Sequence, residues 1–328
     1  MKKKPNLWSL LTAVCVVLGI FSLSRTFSEL THHSGTPKSL ALHVASGVLW
    51  LAVAWVISRR RQKNGEGEIP PTELASSIQK KLALPYKLVP DKVPPDALMR
   101  FFRRTRKEAK GQFTPVLVPV EEALDRMLDG RAALPAPEDA QAEDGRVILE
   151  RRWRGLFESD EAAENPPVEL LGEMAGSKEQ IHFLSCLKDE APLETLMLRL
   201  PITEGWQAPA YIPVGGTCGM PDTAELLAVC KYWYEKYRAV PAAIGHNSME
   251  FVLPKVIDRE QAMEVAKEHY AFCPDRVLRD TKTGTIGEVA DSLWQSTVWY
   301  FKWYGEETQV TESIPQPTEE SSQGGTDA

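Results

Sequence analysis

Residues 221–244 read PDTAELLAVCKYWYEKYRAVPAAI, and this stretch changes period half-way along. Asp222 followed three positions later by Glu225 marks a helix start, a variant of the capping box. Leu226, Leu227, Cys230, Trp233, Tyr234 and Tyr237 then fall at i, i+1, i+4, i+7, i+8 and i+11, one apolar stripe of a 3.6-residue helix. Beyond Arg238 the pattern shortens: 241–244 and 249–253 read as two β segments joined by Gly245-His246-Asn247. A helix that runs directly into paired strands implies helices packed on a sheet.

Working downstream, Asp258 with Gln261 opens a second amphipathic helix through Ala262, Val265, Ala266 and Tyr270, and Thr285 with Glu288 opens a third. Residues 298–304 (VWYFKWY) read as a closing aromatic strand, with Trp299, Phe301 and Trp303 on one face and Val298, Tyr300, Lys302 and Tyr304 on the other. Upstream, 113–120 (FTPVLVPV) reads as a buried strand whose two prolines argue for a sheet edge. A helix is expected over 121–128, and strands over 193–202 and 208–214. Residues 130–165, acidic and rich in Ala and Pro, read as a partly irregular excursion with a short element near 146–157. The fold class is α+β, a layered α/β sandwich being the other arrangement compatible with this order.

The chain has 328 residues, 43% of them apolar, which excludes a disordered polymer, a collagen-like repeat and a small disulfide scaffold. A net charge of −7 conceals +12 over residues 1–110 and −19 over residues 111–328. Two uncharged runs lie in the basic part, 7–23 (LWSLLTAVCVVLGIFSL) and 39–58 (SLALHVASGVLWLAVAWVIS). Since ~17–25 helical residues cross a hydrocarbon slab, the expectation is a transmembrane helical hairpin over residues 1–58 with the lipid bilayer as partner. A cleaved signal peptide is the other reading of the first run. Lys2, Lys3 and Lys4 before the first run, and Arg59, Arg60, Arg61 and Lys63 after the second, place both termini in the cytoplasm of a multi-pass bacterial membrane protein. His32 and His33 would then sit in an outside loop, while Ala41 and Ala45 could let the helices approach closely.

Residues 59–110 form a basic tether and helix. The cationic 95–110 segment, interleaved with Leu98, Met99, Phe101 and Phe102, would either lie on anionic lipid or dock its apolar side on the body. Residues 111–304 form the acidic domain, and 305–328 lack apolar periodicity and are expected to be disordered.

Four blocks, YIPVGG (211–216), PDTAELLAVCKYWYEKYRAVPAAI (221–244), EHYAFCPD (268–275) and STVWYFKWY (296–304), resemble the bacterial domain-of-unknown-function family 4253 in order, spacing and tryptophans. The resemblance covers about residues 208–304 and implies domain boundaries without a mechanism. Met220, Arg238 and Lys302 depart from the residues common at those family positions.

The sharpest chemical cluster is Cys273-Pro274-Asp275 with His269 one helical turn earlier, a nucleophile-and-base spacing that Pro274 disturbs by ending the helix. The alternative is a buried thiol followed by a helix stop. His246 is a second possible base, and His182 with Cys186 repeats the i, i+4 spacing without the third and fourth ligands a zinc ion needs. The five cysteines, odd in number and without a C-x-x-C, suit reduced thiols. Trp233, Tyr237, Trp299 and Trp303 are the binding candidates, with a place in the core as the competing reading.

Phosphate-loop, dinucleotide and metalloprotease motifs are absent, so no cofactor or metal is expected. Nucleic acid is excluded as a partner by the −19 charge of the body. The favoured function is a protein-interaction module for a basic partner, of an immunity type that neutralises a basic toxin. The alternative is a hydrolase or transferase using Cys273.

Overall fold

The computed structural model describes residues 7–31, 36–63, 70–129 and 143–305. The chain divides into two units, Met1–Pro70 and Pro71–Ala328. In the first, α1 (Leu7–Thr31) and α2 (Pro37–Lys63) pack antiparallel. The Ser22 hydroxyl donates to the His43 carbonyl at 2.9 Å, and Cys15 and Ala54 are buried. Glycine, rather than Ala41 and Ala45, lets the helices meet: a Cβ on Gly47 would stand 2.8 Å from Leu23 Cγ, and one on Gly19 3.0 Å from Leu51 Cγ.

The expected transmembrane hairpin is corrected here. Among the described residues no helix is long and apolar enough to cross a membrane. α1 carries Arg25 and Glu29 towards its end, and α2 carries Lys38 at its start and Arg59, Arg60, Arg61 and Lys63 at its end. The multi-pass bacterial membrane placement with cytoplasmic termini rested on those spans and falls with them, and the bilayer contact expected through 7–23 and 39–58 loses the spans it was argued from. The loop with His32 and His33, the 64–69 part of the tether and the 306–328 tail lie outside the described residues.

The second unit is α+β. It opens with α3 (Glu73–Leu82), capped by Thr72, whose hydroxyl accepts from the Ala75 amide. Then follow β1 (Tyr86–Val89), α4 (Pro95–Ala109), β2 (Thr114–Pro119), α5 (Glu122–Leu128), α6 (Gly145–Gly155), α7 (Asp160–Glu164) and α8 (Val168–Leu171). A two-strand ribbon, β3 (Leu187–Lys188) with β4 (Ala191–Pro192), precedes β5 (Thr195–Leu200). The C-terminal part carries α9 (Thr223–Tyr237), β6 (Val240–Ile244), β7 (Ser248–Val252), α10 (Arg259–Phe272), α11 (Asp275–Leu278), α12 (Ile286–Leu293) and β8 (Val298–Lys302).

Six strands form one mixed sheet in the order β1-β5-β2-β6-β7-β8, in which only β2 and β6 pair parallel. One face carries the larger core, into which α9 and β8 send Leu226, Leu227, Cys230, Trp233, Trp299, Phe301 and Trp303. The other face is smaller and is closed by Leu98, Met99 and Phe102 of α4 with Phe183 and Cys186. The basic helix therefore docks its apolar side on the sheet and turns Arg100, Arg103, Arg104 and Lys107 outward. Buried aliphatic and aromatic side chains of this size each contribute about 1.5–3 kcal/mol.

Two strand expectations are overturned. β2 lies inside the sheet, not at its edge. Val120 N–H bonds Glu194 O, towards β5, so alternation turns the nitrogens of Pro115, Leu117 and Pro119 towards β6. The β2–β6 register is confined to Leu117 opposite Ala243, so the missing proline donors fall where the ladder is thin. Residues 208–214 are not a strand. A 3-10 turn spans Gly205–Ala210, and an irregular segment then buries Ile212 and Val214. The alternation of apolar residues there reflects burial of a looped chain, and Pro209 and Pro213 withhold the donors a ladder requires.

β7 contributes the one acid of its run, Glu250, to the smaller face, where it is fully buried. Its Oε1 accepts from Gln180 Nε2 at 2.9 Å and from the Leu184 amide at 3.0 Å, and its Oε2 from the Ser185 amide at 3.0 Å. This carboxylate pins the 180–185 segment to the sheet. Burial pushes its pKa up to about 7, against the pull of those same donors.

Candidate functional site

A groove of about 670 Å³ lies between α6, α7, α9 and α10. α6 owes its start to Asp144, whose carboxylate accepts from the Arg146 amide at 2.9 Å. Its arginines tie it down: Arg152 donates from Nε to Ala271 O at the end of α10 and from Nη1 to Glu225 Oε2 on α9, and Arg151 reaches Glu225 Oε1 at 2.9 Å. Gly145 sets the distance of closest approach. A Cβ there would stand 2.2 Å from Ala228 O and 2.8 Å from Val229 Cα, both backbone atoms that cannot turn aside. Gly145→Ala is therefore expected to cost about 2 kcal/mol as α6 is forced off α9, read as a lower denaturant midpoint. An unchanged midpoint would show that the contact is slack.

The floor of the groove is apolar, from Leu149, Trp153, Ala163 and Ala271. The Trp153 indole N–H is spent on Ala163 O at 3.0 Å, and its ring meets Phe157 and Tyr270, so it is held edge and face. One wall is a saturated carboxylate. Glu268 accepts from Trp233 Nε1 at 2.9 Å, Tyr232 OH at 2.8 Å, Lys236 Nζ at 2.9 Å and Tyr237 OH at 3.5 Å. Burial works against the charge on Lys236, yet hydrogen bonds to Tyr232, Tyr237 and Glu268 hold its pKa above the ordinary value. Burial, reinforced by Glu268, raises the Tyr237 phenol. The rim charges also close on one another: Arg146 with Glu150 at 2.8 Å, Lys267 with Glu264 at 2.8 Å and Arg154 with Asp160 at 3.7 Å. Glu164 makes no ion pair among the described residues.

The residues singled out from the sequence divide between this site and the core. Trp233, Trp299 and Trp303 are buried and stack with Phe251, Phe272 and Phe301. Of the four aromatic candidates, Tyr237 alone is partly open, its ring 5.7 Å from Trp299 and its hydroxyl directed at Glu268.

Cys273 closes α10 as its C-cap and is fully buried, and its thiol donates to Lys302 O at 3.2 Å rather than to an imidazole. Burial, with Asp275 and Asp280 nearby, raises that thiol and keeps it protonated. His269 lies 4.6 Å from both the Trp299 and Phe301 rings, with neither ring nitrogen bonded among the described residues. Burial first, and the Arg276 charge second, hold it well below the usual histidine range, so it stays neutral.

Asp275 spends its carboxylate on the Tyr304 amide at 3.0 Å and on Arg279 at 3.3 Å. His246 pairs with Glu121 at 2.8 Å, and His182 Nδ1 lies 3.3 Å from Asp96. Among the described residues no three metal-ligating side chains are arranged to hold an ion, and no disulfide forms. Among the described residues no histidine or carboxylate is hydrogen-bonded to the Cys273 thiol.

Lys236, Tyr232 and Glu268 escaped sequence reasoning as site residues, while the short element expected near 146–157 is α6, whose place in a groove wall was not foreseen. The signal lay in the i, i+4 pair Tyr232 and Lys236 on the polar side of α9 and in the E-x-x-K-E run of α10. Among curated proteins and among solved structures no match is found. Residues 196–304, from β5 through β8 and including the α9 and α10 walls but not the α6 wall of the groove, match the family described as Domain of unknown function (DUF4253).

Proposed function

We propose that the acidic body is a non-enzymatic binding module and that the α6–α10 groove takes a basic segment of a partner protein, with an apolar side chain seated over Trp153. The carrying observation is the pairing of a rigid apolar floor with Glu268, a carboxylate already saturated by hydrogen bonds, an arrangement suited to recognition. The −19 charge of residues 111–328 favours a basic partner, and Glu164 is the rim acid left to meet it. Neutralisation of a basic toxin is the concrete form of this role.

The test is fluorescence anisotropy of a fluorescein-labelled Lys/Arg-rich peptide with a central Phe, against an acidic peptide of equal length. Expected are binding that weakens with salt and a loss of about tenfold or more for Trp153→Ala, the size of a hot-spot anchor. Glu164→Lys, a surface change that leaves the floor intact, should weaken binding as well. Equal binding of the acidic peptide, or no change in either variant, would overturn the proposal.

A further inference from the structure

α4 presents to solvent a positive charge that the body otherwise lacks. Residues 95–110 hold six Lys/Arg against two acids, whereas residues 111–328 carry −19. With Leu98, Met99 and Phe102 committed to the sheet, Arg100, Arg103, Arg104 and Lys107 are exposed. They fall at i, i+3, i+4 and i+7, one stripe of the helix. Lys87 of β1 widens it: its Nζ lies 5.8 Å, and the Arg104 guanidinium 5.7 Å, from the centre of the half-buried Phe101 ring.

The acids beside the stripe do little to neutralise it. Asp96 lies 3.3 Å from His182 Nδ1, and Glu108 meets Arg104 only at 3.8 Å. Among the described residues Arg100, Arg103 and Lys107 make no ion pair. Like charges at i, i+4, here Arg100 with Arg104 and Arg103 with Lys107, repel and weaken a helix, so the stripe gains from an anionic counterpart. The groove rim shows the contrast, where Arg146 and Glu150 at the same spacing pair at 2.8 Å. The stripe is one helix face wide and is bordered by Asp96 and Glu108. It therefore suits a single acidic segment laid along the helix, whereas a flat anionic surface would press on those acids as well.

Residues 306–328 hold six acidic side chains and no Lys or Arg, and they follow β8 by way of Gly305. Fully extended, these 23 residues span up to about 75 Å, more than the roughly 45 Å width of a compact body of this length, so α4 is within their reach. We propose that this acidic segment docks in cis on the α4 stripe, its carboxylates against Arg100, Arg103, Arg104 and Lys107. Tethering holds it near α4 at an effective concentration on the order of millimolar, so contacts too weak to join separate molecules suffice. Docked, it shields the stripe, and any other acidic chain has to displace it. The α6–α10 groove is not involved.

The test is zero-length carbodiimide coupling in the full chain, which joins a carboxylate to an amine only at ion-pair distance, with the links mapped by mass spectrometry. Expected are links from Glu312, Glu319 or Glu320 to Lys107, Lys110 or Lys87. They should fall about fivefold or more in about 0.5 M salt, and likewise on Arg100→Glu with Arg103→Glu, which spares the apolar side of α4. A second measurement follows a fluorescein-labelled polyglutamate peptide by anisotropy. Changing Glu306, Glu307, Glu312, Glu319 and Glu320 to Gln should raise its affinity about tenfold by baring the stripe, and reversing Arg100 and Arg103 in that variant should remove the gain. Absence of these links, links indifferent to the charge reversal, or equal polyglutamate binding by the natural chain and the Gln variant would overturn the proposal and leave the stripe open to a separate acidic partner.

Discussion

Glu250→Leu is expected to lower stability by about 2–4 kcal/mol, because it strips the partner from the buried amides of Leu184 and Ser185 and from Gln180 together. Removing a buried charge relieves some desolvation, but three stranded donors outweigh that relief. Hydrogen exchange should quicken at residues 184 and 185 before the sheet itself opens.

The same residue sets a pH dependence whose sign can be worked out. Its folded pKa of about 7 lies above the ordinary 4.5, so between those values the folded state holds more protons than the unfolded one. Stability attributable to Glu250 is therefore greatest below pH 4.5, falls as pH rises to 7 and levels off beyond it. The full swing is about 3 kcal/mol at ~1.4 kcal/mol per unit. Urea midpoints at pH 5 and pH 8 for the natural chain and the leucine variant isolate this term from the other carboxylates. Equal losses in both proteins would remove Glu250 as the cause.

Trp233→Ala should be at least as damaging, at about 3–5 kcal/mol. The ring is fully buried, stacks on Phe301 at 5.5 Å and meets Phe251, Phe272 and Trp299 edge-on within 4.9–5.4 Å. Its loss leaves a cavity at the meeting point of α9, α10, β7 and β8 and takes a donor from Glu268. Trp233→Phe separates the two effects. It keeps most of the packing, should cost about 1–2 kcal/mol, and by loosening Glu268 should weaken peptide binding in the groove while the fold persists. Denaturant midpoints read the first effect and anisotropy the second. A Trp233→Ala protein within about 1 kcal/mol of the natural chain would contradict the central place given to this ring.

The C-terminal helices α9 and α12 were legible because their signals are local. Asp222 bonds the Glu225 amide and Thr285 bonds the Glu288 amide, as the spacing implies, and the stripe on α9 is the buried one. The alternation of 298–304 likewise sends Trp299, Phe301 and Trp303 to the larger core. Period, cap and alternation are properties of a few neighbouring residues and survive whatever the rest of the chain does.

The remainder depended on which distant segments met. No local feature reveals that β2 is flanked on both sides, because that follows from strand order, and its prolines are tolerated only because their missing donors face the sparse β2–β6 ladder. Whether Cys273 and His269 could react was a question of burial, and both face the packed interior instead of a cleft. α6, read as a short element near 146–157 within a partly irregular excursion, became a wall once Arg151 and Arg152 found Glu225 more than seventy positions along the chain. The sequence by itself determined the helices, the faces they bury and the acidic character of the body. Tertiary structure alone decided which polar groups are sealed, which are paired and which remain open to a ligand, because solvent access and partners arise only when residues far apart in the chain close around one another.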